Sequence, residues 1–355
     1  MTSPKDQRLP VLILSGFLGS GKTTLLRDYL NQGKLNRTLV IVNEVAERGV
    51  DDQLLRSTGE PVILLENGCL CCTVNDDLSR SLLKIVEDEA VMGAVDRIII
   101  ETTGLADPAS VFSTIATDNR LSSHLRVHSI ISLVDAMHAN MQMAESPEFV
   151  LQVQAADIVL ITKLDIAGEG RLAEVANLVT GINPIATVTA VQAFDLAALV
   201  GASPISRADQ VVARWKPVLN RVVAPATTTG RMRLIMAPES GKAMHATDVS
   251  SFCIEFDERI DWGAFCIWLS LLIHAHGNRL LRIKGFLGLG KGDAPVVINC
   301  VRHVVHFPEH LTAWPDKRRT SYLVFIVRGL SPDLILRSLL AFASKKDSTL
   351  ALDRS

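Results

Sequence analysis

The octapeptide GFLGSGKT, Gly16 to Thr23, constrains this chain more than any other stretch. It has the form G-x-x-x-x-G-K-[ST] and lies between the apolar run Pro10–Ser15 and the helix-like Lys22–Leu30. Such a loop works only when a buried strand feeds it and a helix carries the chain away. Its glycines let successive backbone N–H groups point inward at phosphate oxygens, and the helix N-terminus adds its positive end. The stretch therefore predicts a β–loop–α unit that cradles a polyphosphate. Lys22 is expected to reach the β/γ-phosphates and Thr23 to hold Mg²⁺, with Gly16, Gly19, Ser20, Gly21 and Thr24 lining the cradle.

The rest of the first half agrees. Thr38–Asn43, Pro61–Leu65, Asp96–Glu101, Val127–Asp135 and Asp157–Thr162 are continuous apolar runs rich in Val and Ile, as expected of strands buried on both faces. Helix-like stretches separate them at Asp76–Ala90, Pro108–Ala116 and Gly170–Val179, with Asn75 or Asp76 as a cap and Pro108 at a first helical position. The alternation predicts an α/β fold, a doubly wound and mostly parallel sheet, over residues 1–200. Residues 201–248, with GASPISRADQ and APATTTGRMR, read as a linker or irregular region. Residues 249–355 read as a smaller α+β domain. Its strands are expected at Ser251–Phe256, near Arg279–Leu287, at Pro295–Asn299, Val301–Phe307 and Tyr322–Val327, and its helices at Asp261–Ile273 and Pro332–Ala343.

Two further motifs complete a nucleotide site. DRIIIETTG runs from Asp96 to Gly104; it ends a strand in Glu101, an acid placed to bind Mg²⁺ directly or through its water, and Gly104 is placed to offer an N–H to the γ-phosphate. TKLD, Thr162 to Asp165, has the [NT]-K-x-D form that reads guanine: Asp165 accepts from the N1–H and the exocyclic amine while Lys163 lies over the ring. Adenine offers no matching donor pair, so GTP is expected and ATP rejected.

Three of the six cysteines crowd into ENGCLCC as Cys69, Cys71 and Cys72. Thiolates select Zn²⁺, Cu⁺ and similar ions, and two or three of them leave a tetrahedral ion incomplete, which suits a site that must release its cargo. The remaining ligand would come from Glu44, Glu47 or an exchangeable group. Cys253, Cys266 and Cys300 are scattered through apolar runs and read as packing residues. At this point the chain resembles the CobW-type P-loop GTPases, relatives of the nickel-insertion GTPases of urease and hydrogenase maturation. The resemblance rests on GFLGSGKTT, NEVAERGVD, GCLCC, ETTGLADP and TKLD in that order, and on RIKGFL and VINCVRHV further along. It implies that GCLCC binds metal and that the second domain contacts a client. NEVAERGVDD resembles the family's first switch, usually NEFGE, with Ala46 replacing the glycine and Arg48 following Glu47.

The resulting expectation is a GTP-hydrolysing metallochaperone that carries zinc or cobalt on the GCLCC loop and delivers it to a client metalloenzyme. The alternatives are a nucleotide-gated activator of a metalloenzyme such as nitrile hydratase, without metal carriage, and a P-loop small-molecule kinase, against which TKLD argues. The net charge of −2 suggests no nucleic-acid partner and no anionic membrane, and the absence of a signal-like or spanning stretch predicts a cytoplasmic protein. His274, His276, His303, His306 and His310 are expected to be ordinary surface or core histidines, with His274 and His276 sharing a face if extended. The chain lacks a long His-rich tract and an N-terminal Cys-Pro docking motif.

Overall fold

The computed structural model describes residues 7–42, 62–64, 74–168, 170–201, 227–229, 232–236, 249–256, 260–289, 294–306, 308–311, 314 and 319–343. The chain divides into two compact units, 1–204 and 205–355.

Among the described residues, the first unit is built on a seven-stranded sheet. Its strands are β1 Leu9–Gly16, β2 Thr38–Val42, β3 Val62–Leu64, β4 Arg97–Glu101, β5 Leu125–Asp135, β6 Ile158–Thr162 and β7 Thr187–Ala190. They lie in the order β3-β2-β4-β1-β5-β6-β7, and every neighbouring pair is parallel. Alternate residues of these strands feed two separate cores. Leu12, Leu14, Ile99, Ile131 and Leu160 pack with Leu26 and Leu30 of the helix Lys22–Asn31. Val134, Val159 and Ile161 pack with Phe149 and Val153 of the helix Pro147–Ala155 and with Val175 and Val179 of the helix Arg171–Ile182. Helices on both faces explain why the strands read as unbroken apolar runs. In the chain's winding, β1 sits between β4 and β5, where the strand order reverses, and ligands of open α/β sheets bind outside the carboxyl ends at such a point.

The second unit holds an antiparallel sheet: β8 Thr227–Thr229, β9 Met232–Met236, β10 Val249–Phe256, β11 Leu280–Gly288, β12 Pro295–Val301, β13 Val304–Val305, β14 Glu309–His310 and β15 Ser321–Arg328. The central order is β12-β11-β15-β10-β9. Strands β8 and β9 fall within the stretch expected to be irregular, and β9 pairs with β10 along Met232–Met236. The turn between β12 and β13 falls at Arg302 and His303, beyond the break expected at Cys300, and Arg302 takes a left-handed φ of 52°. Two helices, Trp262–His276 and Pro332–Ala343, contribute Phe265, Trp268, Leu269, Ile335 and Leu336 to its core. The first of these helices runs on through His276 rather than ending at Ile273. His274 and His276 therefore lie in a last helical turn, about 200° apart round the axis, and not on one strand face.

Candidate nucleotide site

The phosphate loop leaves β1 at Gly16 and enters the helix at Lys22. Gly19 and Gly21 adopt φ of 70° and 96°, a region closed to most side chains, which is how the loop turns its N–H groups inward. The Ser20 N–H donates to the Phe17 carbonyl at 3.1 Å and closes the turn. Lys22 is buried, and its Nζ donates to the carbonyl oxygens of Gly16 at 2.8 Å and Phe17 at 3.3 Å, which folds the ammonium over the crest of the loop.

Thr23 stands on the first turn of that helix, and its hydroxyl donates to Glu101 Oε1 at 2.7 Å. Glu101 ends β4, one strand over, and is only 3% exposed. A hydroxyl and a carboxylate meeting beside a phosphate cradle form an oxygen-only donor set, which suits Mg²⁺. Thr23 and Glu101 thus fit a magnesium ion, which when bound would neutralise charge between the β- and γ-phosphates.

Beyond Glu101 the chain turns through Thr103 and Gly104 before Asp107 caps the helix Pro108–Thr117. Thr102 N–H bonds the Leu14 carbonyl at 2.9 Å, so the turn is anchored to β1. Gly104 lies directly on the phosphate loop: a Cβ there would stand 2.5 Å from Leu18 Cδ2 and 2.8 Å from the Leu18 backbone. No other residue fits that approach.

TKLD follows β6. Thr162 is buried, and its hydroxyl donates to the Ser20 carbonyl at 2.9 Å, so the TKLD turn is clipped to the phosphate loop. Lys163 adopts a left-handed φ of 59°, and its Nζ lies 2.8 Å from Asp135 Oδ2. Asp165 lies in the first turn of a short helix, Leu164–Ala167, and is exposed. Asp135, at the end of β5, belongs to none of the motifs that the sequence displays. It accepts from Lys163, from His138 Nδ1 at 2.9 Å and from the Met137 N–H at 2.8 Å. Burial pushes its carboxyl up, but these three donors more than offset that and hold it below the ordinary range. A signal for it exists in the sequence: LVD ends a buried strand in an acid just as IIIE does.

The structure thus brings Gly16, Gly19, Ser20, Gly21, Lys22, Thr23, Thr24, Glu101, Gly104, Thr162, Lys163 and Asp165 to the carboxyl edge of one sheet. Glu44, Glu47, Cys69, Cys71 and Cys72, expected to bind a transition metal, lie outside the described residues. Among the described residues no three His, Cys, Asp or Glu side chains are grouped to hold a metal ion. His274, His276 and His303 do share a cavity of about 700 Å³ in the second unit with Arg279 and Asn278. No helix among the described residues is long and apolar enough to cross a membrane.

Comparison with known proteins follows this division. Residues 10–190 match the nucleotide-binding domain of the CobW/HypB/UreG family, and residues 249–343 match the cobalamin synthesis protein CobW C-terminal domain. The zinc chaperone YjiA of Escherichia coli is 32% identical over 321 residues, 90% of this chain and 93% of that protein. The zinc chaperone CobW of a Sinorhizobium species is 28% identical over 310 residues, 79% of this chain and 81% of that protein. The crystal structure of Zn(II)-bound YjiA GTPase from E. coli superposes with a TM-score of 0.65 at 26% identity, covering 94% of this chain and 99% of that one. With both family models matched in order and the phosphate loop at the switch point of its sheet, the chain belongs to the CobW family of P-loop GTPases.

Proposed function

We propose that this chain is a GTP-driven metallochaperone: it binds GTP with Mg²⁺, holds a transition metal, zinc ahead of cobalt, on the thiolates of Cys69, Cys71 and Cys72, and passes it to a client metalloenzyme when GTP is hydrolysed. The observation that carries the nucleotide half is the Thr162–Ser20 hydrogen bond, which joins the base-reading turn to the phosphate cradle in one continuous site. Asp165 selects guanine, Lys163 is steered by Asp135, and Lys22, Thr23 and Glu101 handle the phosphates and their magnesium. Hydrolysis without a partner should be slow, because the groups that position the attacking water are commonly supplied in trans. The metal half is supported by the soft donor set of GCLCC and by relatives named as zinc chaperones. The cluster falls in the chain between the phosphate loop and Glu101, and Glu44 and Glu47 precede it in the segment resembling a first switch. γ-Phosphate and Mg²⁺ order such segments, and hydrolysis releases them.

A chaperone of this kind must bind metal differently in its two nucleotide states. The test is a competitive Co²⁺ and Zn²⁺ titration of the full chain, read by thiolate-to-cobalt absorption, with a non-hydrolysable GTP analogue and then with GDP. An affinity ratio of about 10-fold or more is expected between the two states, and it should vanish when Cys69, Cys71 and Cys72 are all changed to Ser. Equal affinities, or a triple variant that still binds metal and still serves the client, would overturn the reading.

A further inference from the structure

The turn that carries Gly104 is held from below by a side chain belonging to neither the phosphate loop nor the turn itself. Gln152 projects from the helix Pro147–Ala155 and is 0% exposed. Its Nε2 donates to the Gly104 carbonyl at 3.0 Å and to the Ala106 carbonyl at 3.1 Å. Both amide hydrogens are thereby used on one turn. Two carbonyl acceptors also fix the amide's orientation, since the flipped form would set Oε1 against two oxygens. Oε1 itself has no hydrogen-bond partner among the described residues. Burying an amide with an unsatisfied oxygen is costly, so an apolar residue would be the default here unless the two donated bonds were needed.

What those bonds fix is the seat of the turn. Thr102 ties its start to β1 and Ala106 N–H bonds back to the Thr103 carbonyl at 3.2 Å. Gln152 ties its far side, and between these anchors Gly104 is pressed on the backbone of Leu18. The same end of the helix is locked from the other side: Asn183 Nδ2 donates to the carbonyls of Val153 at 2.8 Å and Ala156 at 2.9 Å, just before β6 leads to TKLD. The amide thus bears on the peptide beside Gly104 from a rigid base.

We propose that Gln152 is a positioning residue for GTP hydrolysis: by gripping the Gly104 and Ala106 carbonyls it sets where the Gly104 N–H stands relative to the γ-phosphate. It touches neither nucleotide nor magnesium and acts only through the turn. The inference rests on the assignment of Gly104 as a γ-phosphate donor. Its consequence is selective, because GDP has no γ-phosphate to read.

The experiment compares Gln152→Met, of similar length without the donors, with Gln152→Asn, which keeps the amide one methylene short, in the full chain. Single-turnover hydrolysis and the affinity ratio of a non-hydrolysable GTP analogue to GDP are measured for each. For Gln152→Met both should fall between about 10- and 100-fold, with GDP affinity kept within about twofold. Gln152→Asn should lie between it and the parent, and it carries the test if Gln152→Met does not fold. Unchanged hydrolysis and an unchanged affinity ratio would overturn the proposal, as would a loss of GDP affinity by the same factor as hydrolysis, which marks a merely structural side chain. Gly104→Ala separates the two layers: if it leaves hydrolysis intact, the assignment of Gly104 fails, whereas if it abolishes hydrolysis while both Gln152 variants are silent, the role of Gln152 fails.

Discussion

In the parallel sheet, the strands that surround the nucleotide site end in buried polar residues. Ser15 closes the apolar part of β1, Glu101 ends β4, Asp135 ends β5 and Thr162 ends β6, each no more than 6% exposed. In the antiparallel sheet of the second unit the corresponding depth is aromatic. Phe252 and Phe325, opposite each other on β10 and β15, stack at 5.0 Å between ring centroids, and Trp268 meets Phe325 edge-on at 6.5 Å. The difference follows from strand direction. A parallel sheet gathers all its carboxyl ends on one edge, so one polar residue per strand converges into a site without breaking the apolar core upstream. An antiparallel sheet sends alternate ends to opposite edges and cannot concentrate them in this way. One sheet is built to do chemistry at its edge and the other to pack through its middle.

If this division is right, changes at the edge of the first sheet should alter binding and spare stability. The largest effect is expected from Asp165→Asn, which sets an amide N–H₂ against guanine's donors and should weaken GTP by about 10³- to 10⁴-fold. Xanthosine triphosphate, whose C2 carbonyl can accept from that amide, should recover much of the loss. Isothermal titration with both nucleotides checks this, and a uniform loss for both would mean that Asp165 holds the turn and does not read the base. Changes in the middle of the second sheet should do the opposite. Phe325→Ala removes a fully buried ring from the stack and should cost about 3–5 kcal/mol of stability while GTP affinity stays within about twofold of the parent. Chemical denaturation followed by tryptophan fluorescence, together with a fluorescent-GDP titration, would show whether affinity falls in step with stability, in which case the comparison breaks.

The edge is the more legible of the two in the sequence. Glycines at fixed spacing, a lysine and strand-terminal acids are rarely needed for packing alone, so GFLGSGKT, Glu101 and TKLD stand out in the bare chain. Packing elements with ambiguous patterns are harder to read. The helix Pro147–Ala155 is hidden because Gln152 and Gln154 turn inward, at 0% and 2% exposure, and interrupt its apolar period. Its start signal, Ser146 followed by Pro147 and Glu148, is nevertheless present. Strand β7, TVTA, is only half-buried at the sheet's edge and lacks the continuous apolar run that marks the others. The end of Trp262–His276 is obscured because Leu271, Leu272 and Ile273 continue an apolar run that gives no stop signal before Gly277. For Cys69, Cys71 and Cys72, thiolate chemistry and family resemblance supply the argument, since they lie outside the described residues.

The cysteines sharpen the contrast in a quieter way. Cys253 on β10 and Cys300 on β12 are 1% and 0% exposed. Burial pushes both thiols up; Cys300 reaches about 12 even though the Arg282 guanidinium pulls the other way. These are packing thiols, held neutral, whereas a metal-carrying thiol must ionise readily. An unfolded chain would lose the Cys300 proton near its ordinary pKa of about 8.5, so the contribution of the neutral thiol is intact below that pH. As the pH rises toward about 12 the unfolded state gains a thiolate that the folded state refuses, and stability falls. Cys300→Ala should lose about 1 kcal/mol at neutral pH from the missing sulfur. Above about pH 9 its stability should then decline less steeply than the parent's, by up to about 1.4 kcal/mol per pH unit. Urea denaturation at neutral pH and at two alkaline values, with the tryptophans as reporters, measures both slopes. Parallel curves would mean that the Cys300 thiol ionises in place, beside the buried Arg282 guanidinium of β11.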